Sequence, residues 1–89
     1  MKNENVLQAF ENLVEKLSID LRYEKGDFSG GLCRMPEKNI LIINSRLPEE
    51  QKVRLIAAEL SMMELNHIYI RPALREIMFE TEQTNTKIL

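Results

Sequence analysis

The feature that most constrains this fold is a helical segment at residues 48–65 that is apolar over most of its circumference. A helix turns by about 100° per residue, so one face carries four large side chains: Val53, Ile56, Leu60 and Met63. A second apolar stripe consists of Leu55, Ala58 and Met62. Because apolar faces must be buried against other elements, this helix requires cover on more than one side.

Two arrangements would meet this requirement. Either the helix is central and is covered by the other helices of the chain, or the second stripe is an exposed patch that another subunit buries. Glu59 falls between the second stripe and the core face. We therefore take Leu55, Ala58, Glu59 and Met62 as the candidate partner-binding residues.

The remaining periodicities predict an α+β fold. Apolar residues at helical spacing predict an N-terminal helix over about residues 4–18, with Asn3 or Asn5 as its N-cap. Alternation predicts a strand at 19–24, and two further strands, 32–35 and 40–43, flank a four-residue loop as a hairpin. We expect these strands to form a small antiparallel three-stranded sheet. The strand at 40–43 is apolar on both faces, so it should be covered on both sides.

The ends of the helices have their own signals. Asn44 or Ser45 can cap the central helix, and Pro48 is tolerated in its first turn. A short third helix is predicted from Pro72 through Met78. With 89 residues the chain is expected to form one domain over residues 1–80. Residues 81–89 lack an apolar face and are expected to fray.

Composition argues against several classes of partner. A formal net charge of −2 provides no general attraction to phosphate or anionic lipid, so a nucleic-acid partner is not favoured. The apolar stretches are too short for a membrane span of about 20 residues. Cys33 is the single cysteine, so no internal disulfide is expected. The N-terminal residues have neither signal-peptide nor transit-peptide composition, and a cytoplasmic location is expected.

Two neighbouring segments carry a family resemblance. Residues 40–47 read I-L-I-I-N-S-R-L, and residues 54–60 read R-L-I-A-A-E-L. Together with the order helix, strand, glycine-rich loop, hairpin, helix over about residues 5–65, they resemble the small zincin-type metallopeptidases of the ImmA/IrrE kind. In that family an I-x-I-N-x-x-L segment leads into a helix with the H-E-x-x-H motif, whose histidines hold zinc and whose glutamate is the general base.

The metal-binding positions of this motif are replaced here. Ala58 and Met62 stand where the two histidines would be, and only Glu59 remains. A methyl group and a thioether do not hold Zn²⁺ for hydrolysis, so we expect no metal, no cofactor and no catalytic residue. The resemblance implies a degenerate, minimal zincin-like scaffold. Its preferred function is that of a non-catalytic interaction or structural protein, with a homodimer through the second stripe as the simplest form.

Two alternatives remain open. A small hydrolase-like enzyme would use a pocket that contains at least two of Glu59, Cys33 and His67; otherwise Glu59 is expected to form a structural ion pair with an arginine, and Cys33 to be a small core residue. A nucleic-acid-associated regulator would act through three arginines, which are Arg34, Arg71 and Arg75.

Overall fold

The computed structural model of this chain describes residues 5–88, with side chains described from 5 to 81. The elements in chain order are α1 (Val6–Lys16), β1 (Ile19–Glu24), β2 (Gly30–Arg34), β3 (Asn39–Asn44), α2 (Glu49–Ser61) and α3 (Pro72–Ile88). The predicted α+β class, with a helix first, three strands and two further helices, is confirmed.

The first helix begins and ends as its local sequence dictates. Asn5 is the N-cap, and its side-chain oxygen accepts a hydrogen bond from the backbone N–H of Gln8 at 2.7 Å. Asn3, the other predicted cap, lies outside the described residues. The helix stops at Leu17, after which Ser18 has a φ of 62° and redirects the chain into β1. The amphipathic face of α1 buries Phe10, Leu13 and Val14 among others.

The sheet is mixed, and the prediction of a wholly antiparallel sheet is wrong for one of its two strand pairs. The strand order is β1-β3-β2. Strands β2 and β3 form an antiparallel hairpin as predicted, but β2 covers Gly30–Arg34 instead of 32–35, and the four-residue loop is 35–38 instead of 36–39. The Met35 N–H closes the hairpin by donating to the Lys38 carbonyl at 2.9 Å. Strand β1 pairs with β3 in parallel, in a register that places Leu21 beside Leu41.

The end of β3 explains this arrangement. The N–H of Ser45 donates to the carbonyl of Glu24 at 2.8 Å, whereas the N–H of Asn44 donates to the carbonyl of Ser29 at 2.9 Å. The chain from Glu24 to Ser29 therefore arches over the end of β3 and leaves a gap between β1 and β2 that β3 fills. The most apolar strand consequently takes the central position, where both of its edges are paired.

One face of the sheet carries the hydrophobic core. Leu41 and Ile43 are fully buried on this face, beneath α1 and α2, and α3 packs on these two helices. Ile40 and Ile42 point to the other face and are only half-buried, since no described helix covers it. The prediction that β3 is covered on both sides is therefore wrong. The apolar character of β3 reflects its central position in the sheet, and a central strand does not require helices on both faces of the sheet.

The C-terminal helices differ from the prediction at their ends. Helix α2 has Pro48 as its N-cap residue, without a side-chain hydrogen bond, so neither Asn44 nor Ser45 caps it. It ends at Ser61, four residues before the predicted end at 65. Helix α3 starts at Pro72 as predicted and continues to Ile88, well beyond the predicted end at Met78. The fraying expected for 81–89 stays a prediction, because Leu89 and the side chains of 82–88 lie outside the described residues.

The helices described between residues 5 and 88 include none with the length and apolar character needed to cross a membrane.

Candidate functional site

The candidate site is the outer face of α2, the side turned away from the core. Ile56, Ala57 and Leu60 are buried on the inner side of this helix. Leu55 and Ala58 point the other way and are half-buried, and Met62, the C-cap residue, is 69% exposed. The second apolar stripe predicted from the sequence therefore lies on a surface that the described part of the chain leaves open.

A groove of about 610 Å³ runs along this face. Its floor is formed by half-buried apolar residues of α2, which are Val53, Leu55 and Ala58. Ile77 and Thr81 of α3 line one side, and Ser29 lines the other side. Met62 does not line the groove and lies one helical turn beyond Ala58. The groove thus has an apolar floor between a helix and the loop that precedes the edge strand β2.

Polar groups line the part of the groove near the start of α2. Arg54 donates to Glu50 one turn earlier, with Nη2 to Oε2 at 3.2 Å, and both side chains are well exposed. An exposed pair of this kind contributes little to stability. The hydroxyl of Thr81 donates to the Ile77 carbonyl at 2.8 Å, so the polar atom of this groove-lining side chain is paired. An apolar floor with such a polar rim is typical of a surface that binds protein.

Asn44 holds the loop that carries Ser29. Its side-chain N–H groups donate to the carbonyls of Gly26 and Phe28 at 2.9 and 2.8 Å. Its side-chain oxygen accepts from the backbone N–H of Arg46 at 3.0 Å. This is the one buried polar side chain among the residues with described burial, and these bonds satisfy it. From the sequence, Asn44 was predicted only as a possible helix cap and as part of the I-x-I-N-x-x-L segment, and its hydrogen bonds to the loop were not predicted.

Gly30 places β2 directly beneath the groove. Its φ is +138°, and a Cβ there would lie 2.2 Å from the Ile42 carbonyl oxygen and 2.8 Å from Leu55 Cδ2. Only glycine fits both this backbone conformation and this close approach. The absence of a side chain lets Leu55 lie against the start of the strand.

The residues proposed for an enzyme are not brought together. Cys33 is exposed on β2 and lines an open depression beside that strand. Glu59 is half-buried on α2, and His67 is exposed in the segment between α2 and α3. Neither Glu59 nor His67 lines the depression or the groove. The condition set for an enzyme, a pocket with two of these three residues, is not met in either cavity.

The expected ion pair of Glu59 is also missing, since Glu59 forms none with a described residue.

The three arginines considered for nucleic acid lie on different elements. Arg34 ends β2, Arg71 precedes α3, and Arg75 lies in the first turns of α3, where it donates to the Ile68 carbonyl at 3.5 Å. Cys33 was expected in the core, and its exposure on an edge strand corrects that expectation.

Within the described residues, no three His, Cys, Asp or Glu side chains lie close enough to hold a metal ion. Ala58 lines the groove and Met62 is exposed on the same side of α2, so the two positions that would carry zinc ligands face a common surface. Their side chains provide no donor of the kind that zinc requires.

Tyr23 joins three elements away from the groove. Its hydroxyl donates to the carboxylate of Glu11 on α1, and the Lys52 Nζ of α2 lies 5.2 Å from its ring centroid. Burial raises the pKa of the Tyr23 phenol, and the hydrogen bond to Glu11 and the negative charge of Glu11 raise it further. This cluster fixes α1 and α2 relative to β1.

The chain matches no protein-family model, no curated protein and no solved structure. The resemblance to zincin-type peptidases therefore stays a prediction.

Proposed function

We propose that this chain is a non-catalytic protein-interaction module, and that the groove on the outer face of α2 binds a segment of another protein. The observation that carries the proposal is the half-buried pair Leu55 and Ala58 at the floor of the groove. Leu55 packs in part against the core, and the remaining apolar surface of this pair stays open to solvent. A partner that fills the groove would recover the burial, at roughly 25 cal/mol per Å² of apolar surface.

The shape of the groove favours a partner other than a second copy of the chain. A two-fold dimer places the same patch of both subunits together, so that patch must be complementary to itself. Two concave floors that face each other would leave a void instead of a packed contact. A segment with a projecting apolar side chain fits better: the side chain would occupy the space above Ala58, and the polar rim at Glu50 and Arg54 would flank it.

The dispersal of Glu59, Cys33 and His67 favours binding over catalysis as the function of this face. Acid–base and nucleophilic chemistry require groups within hydrogen-bond reach of one another, and the groove contains none of the three. A cytoplasmic location and a degenerate zincin-like origin belong to the same proposal. A reducing compartment would keep the exposed Cys33 thiol free.

The test is the affinity of peptides selected against the chain from a random twelve-residue library displayed on phage. We expect the selected peptides to share an apolar residue. We also expect Ala58→Arg to weaken their binding by about tenfold or more, because the new side chain fills the groove. The matched control is Gln8→Arg, which adds the same charge at an exposed position of α1. It should leave the dissociation constant unchanged.

Thermal unfolding of the same variants shows whether a loss of binding is specific. Because Ala58 faces outward, Ala58→Arg should keep the unfolding midpoint within a few degrees of the parent chain. Peptides that bind the folded Ala58→Arg variant as tightly as the parent chain would contradict the proposal. So would a selection that enriches no peptide at all.

A further inference from the structure

The free edge of β2 presents a regular row of backbone groups. Ser29 and Met35 turn their backbone groups toward β3 or the hairpin turn, as the bonds Asn44 N–H to Ser29 carbonyl and Met35 N–H to Lys38 carbonyl show. The antiparallel register continues this alternation through β2. Gly30, Leu32 and Arg34 therefore direct their N–H and C=O groups away from β3, toward the open edge.

The two edge strands of the sheet differ in how they are protected. Strand β1 carries charged side chains at Asp20, Arg22 and Glu24, the usual defence of an edge against pairing with another chain. Strand β2 has no charge and no proline from residue 30 to residue 33. Exposed apolar side chains lie just beyond its two ends, with Phe28 40% exposed and Met35 52% exposed. An edge of this composition is suited to strand pairing.

We propose that two copies of the chain pair along β2, antiparallel, about a two-fold axis at Leu32. In this register Leu32 lies opposite Leu32 of the second copy, and Gly30 lies opposite its Arg34. These are the three residues whose backbone groups face the open edge, so every such pair exchanges two N–H···O=C hydrogen bonds. The two three-stranded sheets then form one continuous sheet of order β1-β3-β2-β2-β3-β1.

The side chains are complementary in the same register. On the outer face of the sheet Gly31 lies opposite Cys33 of the second copy, and neither is bulky. Each Arg34 lies opposite a glycine, so the two arginines are kept apart. Antiparallel pairing also brings the exposed Met35 of one copy beside Ser29 and Phe28 of the other, which would cover both apolar side chains.

The charges near the two ends of β2 complement each other as well. Before the strand lie two acids and one lysine, Glu24, Asp27 and Lys25, with a net charge of −1. At its end lie Arg34, Glu37 and Lys38, and the Lys38 ammonium lies 3.7 Å from the Asp20 carboxylate of β1 in the same chain. A two-fold axis sets the segment before one strand, with its net negative charge, toward Arg34 at the end of the other strand. The pairing uses backbone groups at the open edge of β2, whereas the α2 groove adjoins this strand only at Ser29 and Gly30, and the inference goes beyond the proposed function.

The test is disulfide formation by Gly31→Cys. Residues 31 and 33 of the two copies form a non-hydrogen-bonded pair, with Cα atoms about 4.5 Å apart, which is within the range that a disulfide spans. A Cβ at position 31 meets no atom within 4 Å, so the substitution fits the folded chain. We expect mild oxidation at low protein concentration to convert Gly31→Cys to a covalent dimer.

Two controls make the register specific. In the parent chain the two Cys33 residues would be about 8 Å apart, two residues along the strand and one strand across, too far for a disulfide. In the double variant Gly31→Cys/Cys33→Ser, the two introduced thiols at position 31 would also be about 8 Å apart and too far for a disulfide. Both proteins should stay unlinked under conditions that link Gly31→Cys. Equal cross-linking of all three would overturn the register, and so would no cross-linking of Gly31→Cys.

The second measurement is solution mass across a concentration series. The parent chain should be a dimer at high concentration, and Arg34→Pro should be a monomer because the ring removes an outward N–H and blocks the edge. Proline costs no bond to β3 there, so circular dichroism should still report a folded chain. Arg34→Ala, which removes the same side chain and keeps the N–H, should stay dimeric.

A parent chain that is monomeric at every concentration would overturn the inference. A dimer that survives Arg34→Pro and is lost in Ala58→Arg would overturn it too, and would assign self-association to the groove. Peptide binding to the α2 groove is measured separately from dimerisation. Absence of the β2 dimer therefore leaves the proposed function unaffected, and absence of peptide binding leaves the β2 dimer unaffected.

Discussion

At the residue scale, Asn44 determines the geometry around the groove. Its side chain satisfies two carbonyls of the loop and one N–H at the approach to α2, and it is almost fully buried. No other residue type provides two donors and one acceptor with this shape. The strand order depends on the same region, because the loop that Asn44 holds is the one that arches over β3.

We predict that Asn44→Asp lowers the free energy of unfolding by about 2–4 kcal/mol. The carboxylate keeps the acceptor for Arg46 but faces the carbonyls of Gly26 and Phe28 without a donor. Urea unfolding at pH 7 measures the loss. Because protonation would restore a donor, the difference from the parent chain should shrink at acidic pH. Asn66→Asp, at an exposed loop position, is the control, and an equal loss in both variants would refute the role of Asn44.

Tyr23 yields a prediction about alkaline pH. Its folded-state pKa is raised above the ordinary value of about 10, so the folded chain holds this proton more tightly than the unfolded chain. The stabilisation from the phenol is therefore complete below about pH 10 and is lost as pH rises above that value. Tyr23→Phe should remove this part of the decline in the free energy of unfolding. The measurement is the free energy of unfolding of both proteins from about pH 9 to 11.

Tyr69→Phe is the matched control for Tyr23→Phe, since Tyr69 is 71% exposed. It should follow the parent chain over the whole alkaline range. If the stability of Tyr23→Phe declines as steeply as that of the parent chain, neither burial nor Glu11 raises the pKa of Tyr23 in the folded chain.

At the scale of elements, hydrophobic periodicity was sufficient to locate the helices and strands. The strand at 19–24 has the predicted bounds, and α3 starts at the predicted Pro72. Alternation assigns side chains to faces and does not identify neighbouring strands, so the parallel β1–β3 pair was not predictable. It depends on hydrogen bonds of Ser45 and Asn44 to residues far along the chain.

The groove was predictable only in part. Helical spacing identified Leu55 and Ala58, because a position on a helix face follows from 100° per residue. The opposite walls, Ser29 and Thr81, come from a loop and from a later turn of α3. Their approach depends on how the elements pack, and a short polar side chain has no periodic signal. Met62 was assigned to the same stripe, but the early end of α2 leaves it outside the groove.

The two glycines at the start of β2 provide a prediction at this scale. Gly30→Ala should lower the free energy of unfolding by about 2–4 kcal/mol, because the new Cβ would meet the Ile42 carbonyl and the backbone has a positive φ. Gly31→Ala meets open space and should be neutral or stabilising by up to about 1 kcal/mol. Chemical denaturation of both variants measures the contrast, and equal effects would contradict the packing of Leu55 on Gly30.

At the scale of the whole molecule, three surfaces remain open on a small core. Helices α1 and α2 cover the inner face of the sheet, and among the described residues the outer side of α2, the edge of β2 and the outer face of the sheet stay uncovered. The first is concave and fits a projecting side chain of another protein. The second is straight and complementary to itself across a two-fold axis. A dimer through β2 would therefore display two α2 grooves, and a bivalent partner would gain affinity from both.

A map of amide chemical shifts shows whether the α2 groove is the partner-binding surface of this chain. The measurement compares nuclear magnetic resonance spectra of the isotope-labelled chain with and without a peptide selected against it. We predict that the changes cluster at residues 47–58 and 77–81, with Ala58 among the largest. Changes confined to residues 30–34, or absent from α2 altogether, would contradict the account.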